Sequence, residues 1–135
     1  LEYAQVFDNY YGTSRHAVDE LLKAGEDVIL EIDWQGAQQV RARADSVISI
    51  FILPPSRPAL EERLRNRRQD NDDIIARRMR DAQRELSHYA EYDYLVINDD
   101  FDSALEDLTS ILRCQRLRLK LQQQHKASLL SQLVS

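Results

Sequence analysis

The stretch Val28-Ile29-Leu30-Glu31-Ile32-Asp33 is short, rich in β-branched residues and ends in acids. This pattern predicts a buried strand. A helix over about 35–44 leads from it to a second apolar run over 47–53, which Pro54 and Pro55 end because proline cannot donate to a sheet. A strand, a helix and a second strand in this order favour an α/β domain with parallel strands.

The rest of the chain continues the alternation. Ser14 is a plausible N-cap, Gly25 a plausible helix end, and Asp70 or Asn71 a cap for a later helix. A third strand is predicted over 94–97, and further helices are predicted over 14–24, 56–67, 71–89 and from 102 onward. Three strands and about six helices are therefore expected.

Composition excludes several classes of protein. The 135 residues are 43% hydrophobic and 30% charged, which is typical of one globular domain or part of one. No apolar run approaches the ~20 residues of a membrane span, and the first residues do not resemble a secretory signal. The net charge of −5 argues against a nucleic-acid coat. The single cysteine, Cys114, excludes a disulfide framework and fits the reducing cytoplasm.

Acids and amides follow two of the predicted strands: Glu31 and Asp33 the first, and residues 98–100 the third. Ligands of open α/β sheets bind at the carboxyl ends of the strands. Carboxylates there can hold a hydrated magnesium ion or a ribose hydroxyl. The alternative is that these residues only cap the helices that follow.

Arginines cluster in residues 57–84, where nine arginines face six acids and there is no lysine. The planar guanidinium matches phosphate oxygens in pairs. Arg63 and Arg67 are four residues apart, so on a helix they share a face and could hold one phosphate group. The alternative is a solvated face with acidic partners. The stretch has no aromatic residue on which bases could stack, which argues against nucleic acid.

Five segments, in collinear order, together resemble the bacterial guanylate kinases as far as about residue 120. They are Leu1-Glu2-Tyr3-Ala4 with Asn9-Tyr10-Tyr11-Gly12-Thr13-Ser14, Ile32-Asp33-Trp34-Gln35-Gly36-Ala37-Gln38-Gln39, Phe51-Ile52-Leu53-Pro54-Pro55-Ser56, Ser87-His88-Tyr89-Ala90-Glu91-Tyr92-Asp93-Tyr94, and Val96-Ile97-Asn98-Asp99-Asp100.

The resemblance implies a P-loop nucleoside monophosphate kinase-like parallel sheet with flanking helices. It also implies transfer of the γ-phosphoryl group of ATP to GMP, giving ADP and GDP, with Mg²⁺ and in the cytoplasm. Residues 1–13 would end the GMP-binding lobe, and residues 14–135 would belong to the kinase core, with a lid at about 63–73 and a C-terminal helix. GMP and ATP would be the partners, without nucleic acid or membrane.

The same resemblance assigns roles to individual residues. Arg63, Arg67 and Arg78 would be catalytic, neutralising charge on the transferred group, and Arg63, Arg67 and Asn98 would contact ATP. Asp33 would also contact magnesium through water. The GMP site would consist of Glu2, Tyr11, Thr13, Glu31 and Asp33. Glu2 can accept both guanine N1–H and the exocyclic amine, a donor pair that adenine lacks.

The sequence departs from the family in two places. The lid usually reads Arg-x-x-Gly-Arg-Gly, whereas this chain has Arg65-Asn66-Arg67-Arg68. No GxxxxGK[ST] loop occurs in the 135 residues. We therefore expect a C-terminal two thirds of a guanylate kinase, inactive alone. The alternative is a non-catalytic guanylate-kinase-like module that binds phosphorylated peptides.

Two aromatic residues of the quoted segments receive structural interpretations. His88 is expected to pack in the core or to cap a helix end, and Trp34 to lie in the core rather than to take a stacking role.

Overall fold

The chain begins with an antiparallel hairpin. The computed structural model describes residues 2–6, 9–68 and 71–135, with side chains described for 14–67 and 71–135. Strands β1 (Glu2–Val6) and β2 (Asn9–Thr13) pair so that Glu2 lies opposite Thr13. This hairpin was not predicted, because the sequence suggested only a turn there.

The first two helices begin at the residues that the sequence indicates. In α1 (Arg15–Lys23) the Ser14 hydroxyl accepts the Ala17 N–H, and Gly25 follows the helix with φ 81°, the left-handed conformation that glycine adopts without steric cost. Helix α2 (Trp34–Arg43) is capped by Asp33 and lies against β1. These contacts place the hairpin and the Asp33 end of the chain in one compact unit.

Two short strands form a parallel pair. They are β3 (Ile50–Leu53) and β4 (Tyr94–Ile97). Tyr94 N–H donates to Ser49 C=O, and Asn98 N–H donates to Leu53 C=O. Both pairs advance in the same direction along the two strands, so the pair is parallel.

The strand predicted over 28–33 is wrong: those residues are not assigned to any sheet. They follow α1 as an irregular segment that ends at the Asp33 cap. A strand requires a neighbour that pairs with its backbone, and among the described residues none pairs with this segment. Hydrophobic pattern alone does not supply that neighbour. The run predicted over 47–53 likewise narrows to Ile50–Leu53, where β4 pairs with it.

The later helices follow the sequence prediction more closely. Asn71 caps one of them by accepting the Ile74 N–H, and Asp100 caps another by accepting the Ser103 N–H. The helix predicted over 71–89 ends at Leu86, because residues 89–91 tighten into a 3₁₀ turn. The helices are α3 (Arg57–Arg68), α4 (Asp72–Leu86), α5 (Phe101–Arg116), α6 (Leu119–His125) and α7 (Ala127–Val134), with the 3₁₀ turn at Tyr89–Glu91.

The chain divides into two compact units. The first consists of residues 1–51 and 61–95, and the second of residues 52–60 and 96–135. The buried apolar side chains of the first are Ala37, Val40, Phe51 and Ile75; those of the second are Val96 and Ala104. In the described part of the chain, no helix has both the length and the apolar character needed to cross a bilayer.

Candidate functional site

Asp33 stands at the entrance to α2. Its Oδ1 accepts the Gly36 N–H at 2.9 Å, which satisfies one of the free donors of the first helical turn. The residue is half-buried, whereas Glu31, two positions earlier, is exposed. A carboxylate offers about four acceptor sites, so Asp33 can accept from further donors while it caps the helix.

Glu85, near the end of α4, faces the same helix entrance. Its carboxylate accepts the Trp34 N–H and lies close enough to Asp33 for their charges to interact. Burial, and after it the charge of Asp33, raise the pKa of Glu85 to about 7, while the Trp34 N–H acts in the opposite direction. Near neutral pH, Glu85 can therefore carry a proton.

The His88 ring covers the indole of Trp34. The two rings are stacked, with centroids 3.7 Å apart and planes 7° from parallel. Trp34 is half-buried and so is not the core residue that the sequence predicted. His88 packs on Trp34, but it is itself half-buried and makes no side-chain capping hydrogen bond, so the core packing or capping role expected for it is not borne out.

Glu91 joins this end of α4 to the next turns of α2. It bonds to His88 Nδ1, accepts from Gln38 Nε2 and pairs with Arg41 at 3.6 Å. The Gln38 hydrogen bond, followed by His88, lowers the pKa of the Glu91 carboxyl. We call this set the His88 cluster: Trp34, Gln38, Arg41, Glu85, His88 and Glu91.

The two residues after Glu91 fasten the chain to β3. Tyr92 meets Phe51 edge to face at 4.6 Å, and the Arg41 guanidinium lies 5.2 Å from the Tyr92 ring centre. Asp93 Oδ2 accepts both the N–H of Ser49, at 2.9 Å, and its hydroxyl, at 3.2 Å. The Asp93 N–H donates back to Ser49 Oγ. These bonds set the register at which β4 begins beside β3.

The arginines predicted to be catalytic lie on two helices of the first unit. Arg63 and Arg67 are exposed on α3, and neither forms an ion pair with any residue that the structure describes. Arg65, between them, is held by Glu61 at 2.9 Å and Asp72 at 2.8 Å. Both acids raise the pKa of Arg65, the Asp72 hydrogen bond most. Arg78 is half-buried on α4. On α3, the alternative of a face laced with acidic partners therefore fits Arg65, whereas Arg63 and Arg67 have no such partner among the described residues.

Asn98 belongs to the second unit. Its backbone N–H donates to Leu53 C=O at 2.8 Å, and its half-buried side chain lines a shallow apolar recess. The rest of this recess is formed by Ile52, Phe101, Ala104, Leu105 and Leu108.

Three of the residues predicted to bind GMP, Glu2, Tyr11 and Thr13, lie on the hairpin. Their side chains lie outside the described part of the structure, but the backbone register is defined. Glu2 is opposite Thr13, and Tyr11 is two positions from Thr13 on β2. Residues two apart on a strand, and residues directly opposite across a pair, belong to one face of a sheet. The hairpin thus places all three at positions of one face.

Metal ligands do not cluster in the described residues: no group of three or more His, Cys, Asp or Glu side chains is placed to hold an ion there. Asp33 is half-buried and already accepts the Gly36 N–H. This suits a contact through metal-bound water rather than a cage of protein ligands.

Comparison with known proteins identifies the family. A family model described as guanylate kinase matches residues 1–115. The guanylate kinases of Sodalis glossinidius (strain morsitans) and Escherichia coli (strain K12) are each 56% identical over all 135 residues. The chain belongs to the guanylate kinase family. It spans 65% of the length of each of these curated relatives.

The fold agrees with this family. A crystal structure of guanylate kinase from Anaplasma phagocytophilum superimposes with a TM-score of 0.72 at 30% identity, over 92% of this chain and 63% of that one. The chain therefore has the P-loop nucleoside monophosphate kinase fold in incomplete form, with a small parallel pair of strands.

The segment Ser87–Tyr94, one of those that resemble the family, makes structural contacts that sequence reasoning did not assign. Its residues contact α2 and the start of β3 through His88, Glu91, Tyr92 and Asp93. The signal available in the sequence was the density of polar and aromatic residues in eight positions. Their partners lie 44 and 53 residues away in the hydrogen bonds of Asp93 and Glu91, so no local pattern could name them.

Proposed function

We propose that this chain supplies the guanine-recognition hairpin, the Asp33 carboxylate and the lid arginines of a guanylate kinase. The reaction breaks the bond between the γ-phosphorus of ATP and its bridging oxygen and forms a bond to a phosphate oxygen of GMP, giving ADP and GDP. The observation that carries the proposal is the register of the hairpin, which sets Glu2 opposite Thr13 on the face that also holds Tyr11.

Guanine recognition follows from the chemistry of these side chains. The Glu2 carboxylate would accept N1–H and the exocyclic amine, Thr13 would donate to O6, and the Tyr11 hydroxyl would bond the GMP phosphate. Adenine has an acceptor at N1, no amine at C2 and a donor at C6, and an unmatched buried polar group costs several kcal/mol, about 10⁴-fold or more in rate. Glu31 and Asp33 would face the guanine and ribose from the α2 entrance.

Phosphoryl transfer depends on the arginines. Arg63 and Arg67 are available to phosphate oxygens because no described carboxylate neutralises them. Their charges, with that of Arg78, would stabilise the negative charge on the transferred group, which is the main contribution a protein makes to this reaction. Asn98 would contact the adenine of ATP.

Magnesium would neutralise charge on the ATP phosphates when bound. Asp33 would orient water bound to the ion, since its one backbone hydrogen bond leaves further acceptor capacity.

The proposal divides the chain as the resemblance does. Residues 1–13 would end the GMP lobe, residues 14–135 would form part of the kinase core, and the lid would lie at about 63–73. The cytoplasm would be its compartment, with no nucleic-acid partner.

The test is an ADP-release assay with ATP and magnesium. The whole protein that contains this chain should form ADP in the presence of GMP and not of AMP, and Glu2→Gln should reduce that preference. The 135-residue chain assayed alone should form none, because its sequence has no phosphate-binding glycine loop. Whole protein that binds a phosphorylated peptide and forms no ADP would overturn the proposal in favour of the non-catalytic module.

A further inference from the structure

Two side chains from the end of α4 converge on a single residue of α2. Glu85 accepts the Trp34 backbone N–H, and the His88 ring stacks on the Trp34 indole at 3.7 Å. One contact fixes the backbone of Trp34 and the other its side chain. Trp34 is the first residue of α2 and directly follows Asp33.

The contacts continue along one face of α2. Trp34, Gln38 and Arg41 are spaced by four and three residues, the spacing of one helical face. Glu91 reaches both Gln38 and Arg41 and also bonds to His88. The end of α4 and the 3₁₀ turn therefore contact two turns of α2. Two of these contacts, those of Glu85 and His88, fall on Trp34, its first residue.

The contacts of Glu85 and His88 with Trp34 also restrain Asp33. The Asp33 carboxylate is tied to Gly36 inside the first turn, so it moves with that turn. A first turn held at Trp34 by both its N–H and its ring has little freedom to tilt or fray. Misplacement of a substrate-positioning group by about 1 Å can cost 10²-fold in rate.

We propose that His88 and Glu85 are positioning residues for Asp33: through Trp34 they hold the α2 entrance at which GMP binds. The inference deepens the proposed function and rests on it for the identity of the ligand. Neither residue would touch the nucleotide. Each contacts Trp34 and would act through it on the carboxylate of Asp33, the preceding residue.

The first experiment measures how far the His88 ring shields the Trp34 indole from solvent. Trp34 is the only tryptophan of these 135 residues, so in the whole protein, with any tryptophan outside them replaced by phenylalanine, its emission reports this site alone. His88→Ala should make the indole markedly more accessible to acrylamide quenching, and His88→Phe, which keeps a flat ring over it, should restore protection. Tyr89→Ala is the matched control, since Tyr89 is 53% exposed on the neighbouring turn. Unchanged quenching in His88→Ala would overturn the inference.

The second experiment measures the consequence in the whole protein. His88→Ala should raise KM for GMP about tenfold, with rescue by His88→Phe. KM for ATP should rise less, because Asp33 would act on ATP only through magnesium-bound water. Glu85→Ala should act in the same direction, with rescue by Glu85→Gln, which keeps an acceptor for the Trp34 N–H. This second pair decides the matter if His88→Ala does not fold.

The outcomes separate the two claims. Normal turnover of GMP by the wild type, with KM for GMP unchanged in His88→Ala and Glu85→Ala, overturns the positioning role and leaves the proposed function intact. An equal rise in both KM values also overturns it, because a general loss of structure would do that. Wild type without GMP-dependent turnover overturns the proposed function and the inference with it.

Discussion

The exposed arginines of α3 and the His88 cluster are built in opposite ways. Arg63 and Arg67 are exposed and make no ion pair with a described residue, whereas every member of the His88 cluster has a partner within the first unit. A side chain whose charge is satisfied internally contributes to structure. One left without a partner remains available to a ligand. The contrast separates residues that are held by neighbours in the fold from residues that we propose act on the nucleotides.

Removal of Arg63 or Arg67 should have the largest effect on activity. In the whole protein, Arg63→Ala or Arg67→Ala should lower kcat by about 10²–10³-fold, because in the proposed function each would supply charge to the transferred phosphoryl group. Arg65→Ala is the matched control on the same helix, since Arg65 is occupied by Glu61 and Asp72. ADP release under saturating substrates measures both. Equal losses in the three variants would contradict the distinction.

The sequence could predict the α3 side of this comparison because its signal is local. Spacing by four places Arg63 and Arg67 on one helical face without any tertiary information. Helix caps behave in the same way, and Ser14, Asn71 and Asp100 each accept the expected backbone N–H. In these cases the residue and its partner lie within one turn.

The His88 cluster could not be predicted because its contacts are long-range. The sequence placed Trp34 in the core, but an apolar ring has no pattern that distinguishes a core neighbour from an imidazole 54 positions later. The strand predicted over 28–33 is wrong for a related reason: a strand depends on its partner, and the apolar run does not encode one. Tertiary pairing decided both outcomes.

Loss of the Asp93 carboxylate should cause the largest loss of stability. Asp93→Ala removes the acceptor of the Ser49 N–H and hydroxyl, and Ser49 is buried. A buried donor left without a partner costs ~1–3 kcal/mol, so we expect a loss of about 2 kcal/mol in urea unfolding of the chain. Asp99→Ala, at an exposed position after β4, should stay within about 0.5 kcal/mol of wild type. A similar small change in Asp93→Ala would refute the structural role.

Neutralising Glu85 should produce a smaller, pH-dependent gain. The folded pKa of about 7 exceeds the ordinary 4.5, so between these values only the folded state keeps the proton. The free energy of unfolding therefore falls as pH rises from 4.5 to 7, and Glu85→Gln removes this loss. Asp33, His88 and Glu91 are the charged or titratable groups that act on Glu85.

The measurement compares urea unfolding of wild type and Glu85→Gln at pH 4 and pH 8. The variant's advantage at pH 8 over pH 4 should be about 1 kcal/mol, less than the full shift implies because Glu85 is half-exposed. Glu62→Gln, an exposed glutamate on α3, makes the same charge change away from the cluster. An advantage that is equal at the two pH values would contradict the assignment of the raised pKa to Glu85.

The smallest effect is expected where the ion pairs are most exposed. The Arg65 pairs with Glu61 and Asp72 have side chains that are 46%, 46% and 90% exposed, so water screens them and the stability gained is slight. Arg65→Met should lower the melting temperature slightly at low salt and not at 1 M NaCl, where the screening length is ~3 Å. A large drop that persists at high salt would mean that Arg65 holds α3 to the start of α4 by packing. Arg65 would then position the helix that carries Arg63 and Arg67. The distinction between structural arginines and ligand-binding arginines would not hold within α3.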